Sequence, residues 1–267
     1  METRSEPVGT LLREWRQRRR LTQLDLALEA DISARHLSFV ETGRAQPSRE
    51  MLLHLSEELE VPLRERNRLL VSAGFAPLYA ERRLDDAALA AARAAIDVVL
   101  AAQKPYPAFA LDRHWNVAAS NAALQELYEG VAPELMQPPV NALRLSLHPR
   151  GVAPRIENLA EWRAHLLFRL RRQVELTADA QLEALLKEAL GYQYPQPLAS
   201  APGLAHSVLV PLRIRTSLGL LSFLSTTTVF GTPLDVTLAE LAIEMFFPAD
   251  AATDARIRRQ PGFQDAG

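Results

Sequence analysis

The sequence contains no cysteine. Without a thiol the chain can form no disulfide framework, no cysteine nucleophile and no cysteine-based zinc or iron–sulfur site, which fits a reducing compartment. Nowhere do about 18 uncharged apolar residues run together, and the charged start is not followed by the apolar segment of a secretory signal. We therefore expect a cytoplasmic protein that does not associate with membranes.

Motifs that mark common enzymes are missing as well. The sequence has no HExxH, no GxGxxG, no P-loop and no nucleophile elbow, and its histidines show no paired metal-ligand spacing. We therefore expect no enzyme activity, no catalytic residue, no metal site and no cofactor.

What is present is a large apolar fraction with an uneven charge distribution. Of 267 residues, 48% are hydrophobic, which is enough to bury the core of one large or two small domains. The formal net charge is −2, yet between residues 9 and 49 eight arginines outnumber five acidic residues. Such a segment either presents a basic face to nucleic-acid phosphates or forms an ordinary solvated helix surface.

The N-terminal part shows helical periodicity. Apolar residues recur at helical spacing between residues 8 and 72 and predict five short helices. Thr22 and Ser33 are good N-caps, Gly43 suits the end of a helix, and Pro47 and Ser48 precede another helix start. We expect one all-helical domain over residues 1–75.

A breaker, GFAP, ends this domain, and an alanine-rich segment follows it. Residues 76–106 predict a connecting helix of high helix propensity. The helix needs either the second domain or a dimer partner to bury its apolar stripe, which comprises Leu89, Ala92, Ile96, Val99 and Leu100.

Residues 107–255 predict an α+β domain with strands at both ends of its sequence, before a tail at 256–267. Two short strands in AFALDRHWNVAASN are joined by a turn at Asp112 and Arg113, and two more lie in HSVLVPLRIRTSLGLLSFLSTTTVF. Helices are predicted at about 119–129, 157–175 and 178–190. The segment DVTLAELAIEMFFPAD fits either a helix or a strand.

The most specific signal lies in GTLLREWRQRRRLTQLDLALEADISARHLSFVETGRAQPSREMLLHLSEELEV. The features that characterise it stand at fixed spacing: LTQ, the pair Leu26-Ala27, the turn ADIS, and the later VE, GR and PS pairs. Together they resemble the DNA-binding domain of the xenobiotic-response-element family of helix-turn-helix regulators. Ala27 must be small where two helices cross closely. The family often has glycine where this chain has Asp31, and aspartate tolerates the left-handed conformation which that turn needs.

The recognition helix is expected to start after Ser33 and to enter the major groove. Arg35 can donate to O6 and N7 of guanine together, or else to a phosphate. Phe39 either touches a thymine methyl or is buried. The resemblance implies that Gln23 clamps a phosphate. The residues expected at or near the DNA are Gln23, Ser33, Ala34, Arg35, His36, Ser38, Phe39 and Arg44.

Two further features accompany this interface. Arg18, Arg19 and Arg20 form a run that contacts phosphate or is simply solvated. The resemblance also implies a structural ion pair between Arg16 and Glu41 beside the DNA. Losing one partner of such a pair strands a partly buried charge, which is worse than losing both.

The second domain resembles a different family. PAFALDRHWNVAASNAAL, NALRLSLHPR and ENLAEWRAHLLFRLRRQ are similar to the opening of the MmyB-like ligand-binding domain, which has a PAS-related fold and follows this type of helix-turn-helix. The later part of the sequence departs from the best-known members. The resemblance implies that an elongated apolar molecule, such as a fatty acid, lies between sheet and helices.

The residues themselves are compatible with such a pocket, although a filled core would use the same side chains. Asn121 is expected to cap a helix or to tie a strand to a helix. The residues expected to line the pocket are Phe109, Trp115, Trp162, Leu166, Phe168, Leu220 and Phe223.

Together these features predict a bacterial-type transcription regulator. It binds a double-stranded DNA operator as a homodimer, and a small apolar or amphipathic, fatty-acid-like effector modulates that binding. The alternative is an antitoxin-type or phage-type repressor whose C-terminal domain serves dimerisation or protein binding without a small-molecule effector.

Overall fold

The computed structural model describes residues 6–195 and 209–259. The chain forms two compact units. Unit 1 comprises residues 1–83 together with 232–239, and unit 2 comprises residues 84–231 and 240–267.

Unit 1 contains the five predicted helices: α1 (Val8–Arg18), α2 (Gln23–Glu29), α3 (Ala34–Glu41), α4 (Arg49–Glu58) and α5 (Leu63–Ser72). The predicted caps are present, because Thr22 forms a capping box with Asp25 and Ser33 accepts from the backbone N–H of His36. The helices enclose one apolar core that includes Leu12, Ala27 and Leu37. This confirms the all-helical fold class of the N-terminal domain.

Close packing and one strained turn set the geometry of α1, α2 and α3. A Cβ atom at Gly9 would lie 2.3 Å from the carbonyl oxygen of Val40, so α1 approaches the end of α3 more closely than a side chain allows. Asp31 has φ 49, the left-handed conformation expected for the turn between α2 and α3.

Unit 1 also contains a segment that is distant in sequence. The short helix α11 (Val236–Ala239) lies in residues 232–239. Asp235 pairs with Arg82 at 2.9 Å, and the backbone N–H of Val236 donates to the carbonyl of Ala80. We call residues 232–239 the docking segment.

Unit 2 combines a five-stranded sheet with six α-helices among its described residues. The strands are β1 (Ala108–Leu111), β2 (Val117–Ser120), β3 (Leu212–Thr216), β4 (Gly219–Val229) and β5 (Ala242–Pro248). The helices are α6 (Ala90–Ala102), α7 (Ala123–Glu126), α8 (Ala142–Leu147), α9 (Leu159–Thr177), α10 (Ala180–Leu190) and α12 (Ala251–Arg258), and a single 3-10 turn, Ala87–Leu89, precedes α6.

The sheet is antiparallel with strand order β2-β1-β5-β4-β3. Side chains alternate between its faces, as pleating requires. On one face Ala108, Ala110 and Ile243 pack against Ile96 and Leu100 of α6. On the other face the odd-numbered partners, such as Phe109 and Leu111, join the larger core with α9 and α10. The predicted α+β, PAS-like fold class is confirmed.

Some predicted elements end elsewhere. The helix predicted as a connector belongs to unit 2, where it covers one sheet face, and the unit boundary lies between Arg83 and Leu84. The helix predicted at 119–129 shrinks to α7, because residues 117–120 pair with β1. The ambiguous segment at 235–250 contains both a short helix, α11, and a strand, β5. Helix α12 continues past residue 255, where the tail was expected to begin.

Among the helices of residues 6–195 and 209–259, none combines the length and apolarity needed to cross a membrane.

Candidate DNA interface and ligand pocket

Arg35 is the exposed side chain in the first turn of α3. Its guanidinium carbon lies 5.4 Å from the centroid of the Phe39 ring, one turn further along the helix. This stacking restricts the rotamers of a long side chain, so less entropy is lost when its planar fork meets a base edge. Phe39 is half-buried, so it is neither fully packed into the core nor fully exposed, and its contact with a thymine methyl stays a prediction.

The other predicted contacts surround Arg35. Ser33 caps α3 through the backbone N–H of His36, at 3.1 Å. Arg44 is exposed beyond the end of α3, and its backbone N–H donates to the carbonyl of Phe39. Ala34, His36 and Ser38 are half-buried along the same helix. These positions share one element, but contact with DNA stays a prediction for all of them.

Glu41 connects three helices of unit 1. Its side chain is fully buried and accepts from Nε and Nη2 of Arg16 at 2.7 and 2.8 Å. Nε2 of Gln23 donates to the same carboxylate at 2.8 Å, and Arg16 also donates to the carbonyl of Leu21. The amide of Gln23 is thereby held at the start of α2, with a second N–H left for a phosphate.

The network changes the acidity of its members. Burial alone would raise the pKa of Glu41, but hydrogen bonds from Arg16 and Gln23 outweigh burial and lower this pKa below its usual range. The hydrogen bond to Glu41 raises the pKa of Arg16. Both groups are charged at neutral pH.

The arginine run divides by role. Arg19 donates to the carbonyls of Leu59 and Glu60, at 2.8 and 2.9 Å, and so binds the end of α4. Arg18 and Arg20 are exposed. Arg19 is therefore engaged within unit 1, whereas its two neighbours remain available to solvent or phosphate.

Unit 2 contains a pocket between the sheet and its helices. The cavity and its solvent-open mouth together hold about 580 Å³ of empty space. Four of the predicted residues, Phe109, Trp115, Trp162 and Leu166, line it. The remaining lining residues are Leu111, Leu124, Leu127, Tyr128, Ala142, Leu145, Ser146, Val152, Arg169, Leu212, Ile214, Glu244 and Phe246.

Three of the predicted pocket residues lie elsewhere. Phe168 is 54% exposed, because two helical residues turn it about 200° away from Leu166. Leu220 is half-buried on the sheet face opposite to Leu221. Phe223 is 1% exposed and packs edge-to-face on Phe246, so it is filled core rather than pocket wall.

An ion pair forms the charged part of the pocket wall. Nη1 and Nη2 of Arg169, on α9, donate to the two oxygens of Glu244, on β5, each at 2.9 Å. Thr227, opposite Glu244 in the sheet, bonds to both side chains. The guanidinium of Arg169 also lies 5.2 Å from the ring centroid of Trp115.

Trp115 is fixed in a strained backbone conformation. Its φ of 69 lies in the left-handed region, which is costly for a bulky residue. Its backbone N–H bonds the carbonyl of Asp112, and its indole N–H donates to Gln173 at 2.8 Å. These bonds hold the ring as a wall of the pocket.

Thirteen lining residues were not predicted from the sequence, among them Arg169, Glu244 and Tyr128. Signals for the first two were present, since Arg169 follows Trp162 and Leu166 at helical spacing, and Glu244 interrupts the apolar strand AIEMFFP. Asn121, expected to tie elements together, bonds the carbonyls of Leu100 and Tyr106 and the backbone N–H of Ala108.

No group of three or more histidine, aspartate or glutamate side chains within residues 6–195 and 209–259 is arranged to hold a metal ion.

Comparisons with known families match both units. Residues 92–259 match the family model described as the MmyB-like transcription regulator ligand binding domain. Residues 12–66 match a helix-turn-helix model. Both resemblances inferred from the sequence are thereby confirmed, and neither description names an enzymatic domain. A comparison with curated proteins finds no match.

The first prediction concerns the buried pair of unit 1. Arg16→Met should destabilise unit 1 by about 3–5 kcal/mol, because it leaves the buried carboxylate of Glu41 without its main partner. The double variant Arg16→Met/Glu41→Leu should be less destabilised. The measurement is the free energy of local opening of α1–α3 from hydrogen exchange.

The stability of unit 1 should depend on pH with opposite sign in the wild type and in Arg16→Met, as far as Glu41 contributes to it. In the wild type the pKa of Glu41 is lowered on folding, so its contribution is present above the unfolded pKa of about 4.3 and is lost as pH falls through the folded value. In Arg16→Met, burial should raise this pKa, and the gap to the wild type should narrow on acidification. A double variant less stable than the single one contradicts the account.

The second prediction concerns DNA. Arg35→Ala should cost about 1–3 kcal/mol of operator affinity and relax preference at one position per half-site. Gln23→Ala should weaken binding to all sequences more evenly, because phosphate contacts carry no base information. Both are measured by quantitative footprinting on operators selected from random duplexes.

Arg68→Ala is the matched control, since it removes one exposed arginine from α5 of the same unit. It should change affinity only slightly. An unchanged footprint and affinity in Arg35→Ala would show that the orientation of α3 on DNA is wrong.

Proposed function

The chain belongs to the family with the MmyB-like transcription regulator ligand binding domain, and we propose that an apolar or amphipathic effector in its pocket controls operator binding by its helix-turn-helix. The two family matches identify the chain as a DNA-binding transcription regulator. The single observation that carries the proposal is the apolar pocket of unit 2 joined in one chain to the DNA-binding unit.

We propose that two copies of the chain bind the operator together. One small helix-turn-helix buries too little surface for tight specific binding, whereas a two-fold pair engages half-sites about one helical turn apart. We infer a homodimer on a pseudo-palindromic operator, with Arg35 as the base-reading residue of each half. This role requires the compartment that contains the operator, the cytoplasm.

The chemistry of the pocket supports an effector with an apolar body. Its walls are mostly leucine, phenylalanine and tryptophan side chains, and such apolar linings with a few polar groups are typical of ligand sites. A fatty-acid-like chain, long and flexible, fits such a lining. The few polar groups would fix the orientation of one end of the molecule.

Chain connectivity supplies a route for coupling. The docking segment belongs to unit 1, yet it connects β4 to β5, and β5 provides Glu244 and Phe246 to the pocket wall. Ile243 and Glu244 follow Ala239 within five residues. A ligand that favours one position of β5 therefore acts through covalent bonds on a segment held in the DNA-binding unit. We expect a second path through the predicted connecting helix, around residues 85–102, where a small rotation would change the half-site spacing.

The third prediction is reciprocal coupling. At least one of the two probes 1-decanol and sodium decanoate should bind the full-length protein and change operator affinity. Operator DNA should then change the affinity for that probe by the same factor. Ala142→Phe, which fills the pocket, should abolish probe binding and leave operator affinity intact. Ala184→Phe places the same ring on the exposed surface of α10 and serves as control.

Several outcomes would contradict the proposal. If a probe binds but operator affinity stays constant, unit 2 merely holds the molecule. If native mass spectrometry finds no co-purifying small molecule and neither probe shifts the thermal transition, the C-terminal unit serves dimerisation or protein binding instead.

The fourth prediction tests the coupling route. Asp235→Ala removes the ion pair between the docking segment and the Arg82 side chain, so the coupling factor should fall several-fold while probe and operator affinities measured separately change little. Glu81→Ala is the control, because it removes the Arg64–Glu81 pair of unit 1 without touching the docking segment. Equal coupling in both variants would rule out this route.

A further inference from the structure

The charged groups of the pocket neutralise one another. Of the described residues that line it, only Arg169 and Glu244 are charged, and they form a two-pronged pair at 2.9 Å. Glu244 is 4% exposed. The positive charge of Arg169 is thus neutralised by Glu244, which is fixed in the sheet. Thr227 and the Trp115 ring also contact the guanidinium.

This arrangement disfavours a ligand carboxylate. To reach the guanidinium in a two-pronged geometry, the carboxylate must displace Glu244, which leaves a buried carboxylate without a counter-ion. If it binds beside the pair instead, two carboxylates share one arginine in a site of low polarity. His165 adds no positive charge, because burial and the charge of Arg169 lower its pKa below the usual range.

Two uncharged hydroxyls line the same pocket with hydrogen-bonding capacity to spare. The Tyr128 hydroxyl makes no hydrogen bond to any residue that the structure describes, although its ring packs against the core. The Ser146 hydroxyl accepts from the Trp162 indole at 2.9 Å, which leaves its own proton to be donated. Both groups can bond to an alcohol, ester, ketone or amide oxygen without any change of charge.

We propose that the pocket takes an uncharged amphipathic molecule, an apolar chain with an oxygen-bearing polar group, and that Glu244 excludes free carboxylates by occupying Arg169. The inference rests on the proposed binding of an effector in this pocket. It narrows the fatty-acid-like class to neutral relatives such as alcohols and esters. Glu244 is then a specificity-determining residue.

The test compares three probes with the same ten-carbon chain on the full-length protein. At pH 7.5 decanoate is ionised, whereas 1-decanol and methyl decanoate are neutral. Calorimetry below the aggregation limit of each probe should show the neutral probes binding at least about tenfold more tightly than decanoate. Equal or tighter binding of decanoate to the wild type overturns the inference.

Variants locate the origin of the selectivity. Glu244→Gln keeps the shape of the side chain and frees Arg169, so decanoate should gain about tenfold and the preference for decanol should shrink or reverse. In Arg169→Met/Glu244→Gln the pocket carries no charge, so decanol should still bind and decanoate should stay weak. A decanoate affinity that Glu244→Gln does not raise also overturns the inference.

The outcomes separate this inference from the proposed function. If decanoate binds best and still changes operator affinity, the selectivity is wrong and the regulator stands. If none of the three probes binds, both fail. Should Glu244→Gln not fold, the wild-type ranking and the double variant decide.

Discussion

One buried carboxylate fixes the geometry of the DNA-binding unit. Glu41, at the end of α3, receives Arg16 from α1 and Gln23 from α2, so the three helices that must present a fixed face to DNA share one charged centre. A buried charge tolerates little displacement of its partners, because each lost hydrogen bond leaves the desolvation of that charge uncompensated. The angle between α2 and α3 is therefore set by this centre as well as by the small Ala27 and the turn at Asp31.

The ligand-binding unit uses the same device for a different purpose. Glu244 of β5 and Arg169 of α9 join the sheet to the helix that covers it, and the pair forms part of the pocket wall. In unit 1 the pair only holds helices in place, whereas in unit 2 we propose that it also selects against charged ligands. A pocket with a resident counter-ion is apolar in its walls and neutral in its charge, and under the proposal that combination limits the chemistry of the effector.

Local rules were sufficient for most of the fold. Helical spacing, the caps at Thr22 and Ser33 and the strand pattern around β1 and β2 predicted elements that are present. Most of the pocket wall required information that neighbouring residues do not contain. Arg169 and Glu244 are 75 residues apart, and nothing local assigns one to the other. The docking segment looked like the start of a final helix or strand, because its burial depends on Ala80 and Arg82, about 150 residues earlier.

Phe168 shows the opposite limit. Its apolar side chain suggested a pocket residue, but the angle between helix positions places it on the solvent side.

The most direct test of the account is hydrogen exchange of the full-length protein with and without its operator duplex. The account predicts altered protection in residues 232–248 as well as in α3, because the docking segment and β5 respond to DNA. Changes confined to residues 8–72 would contradict it.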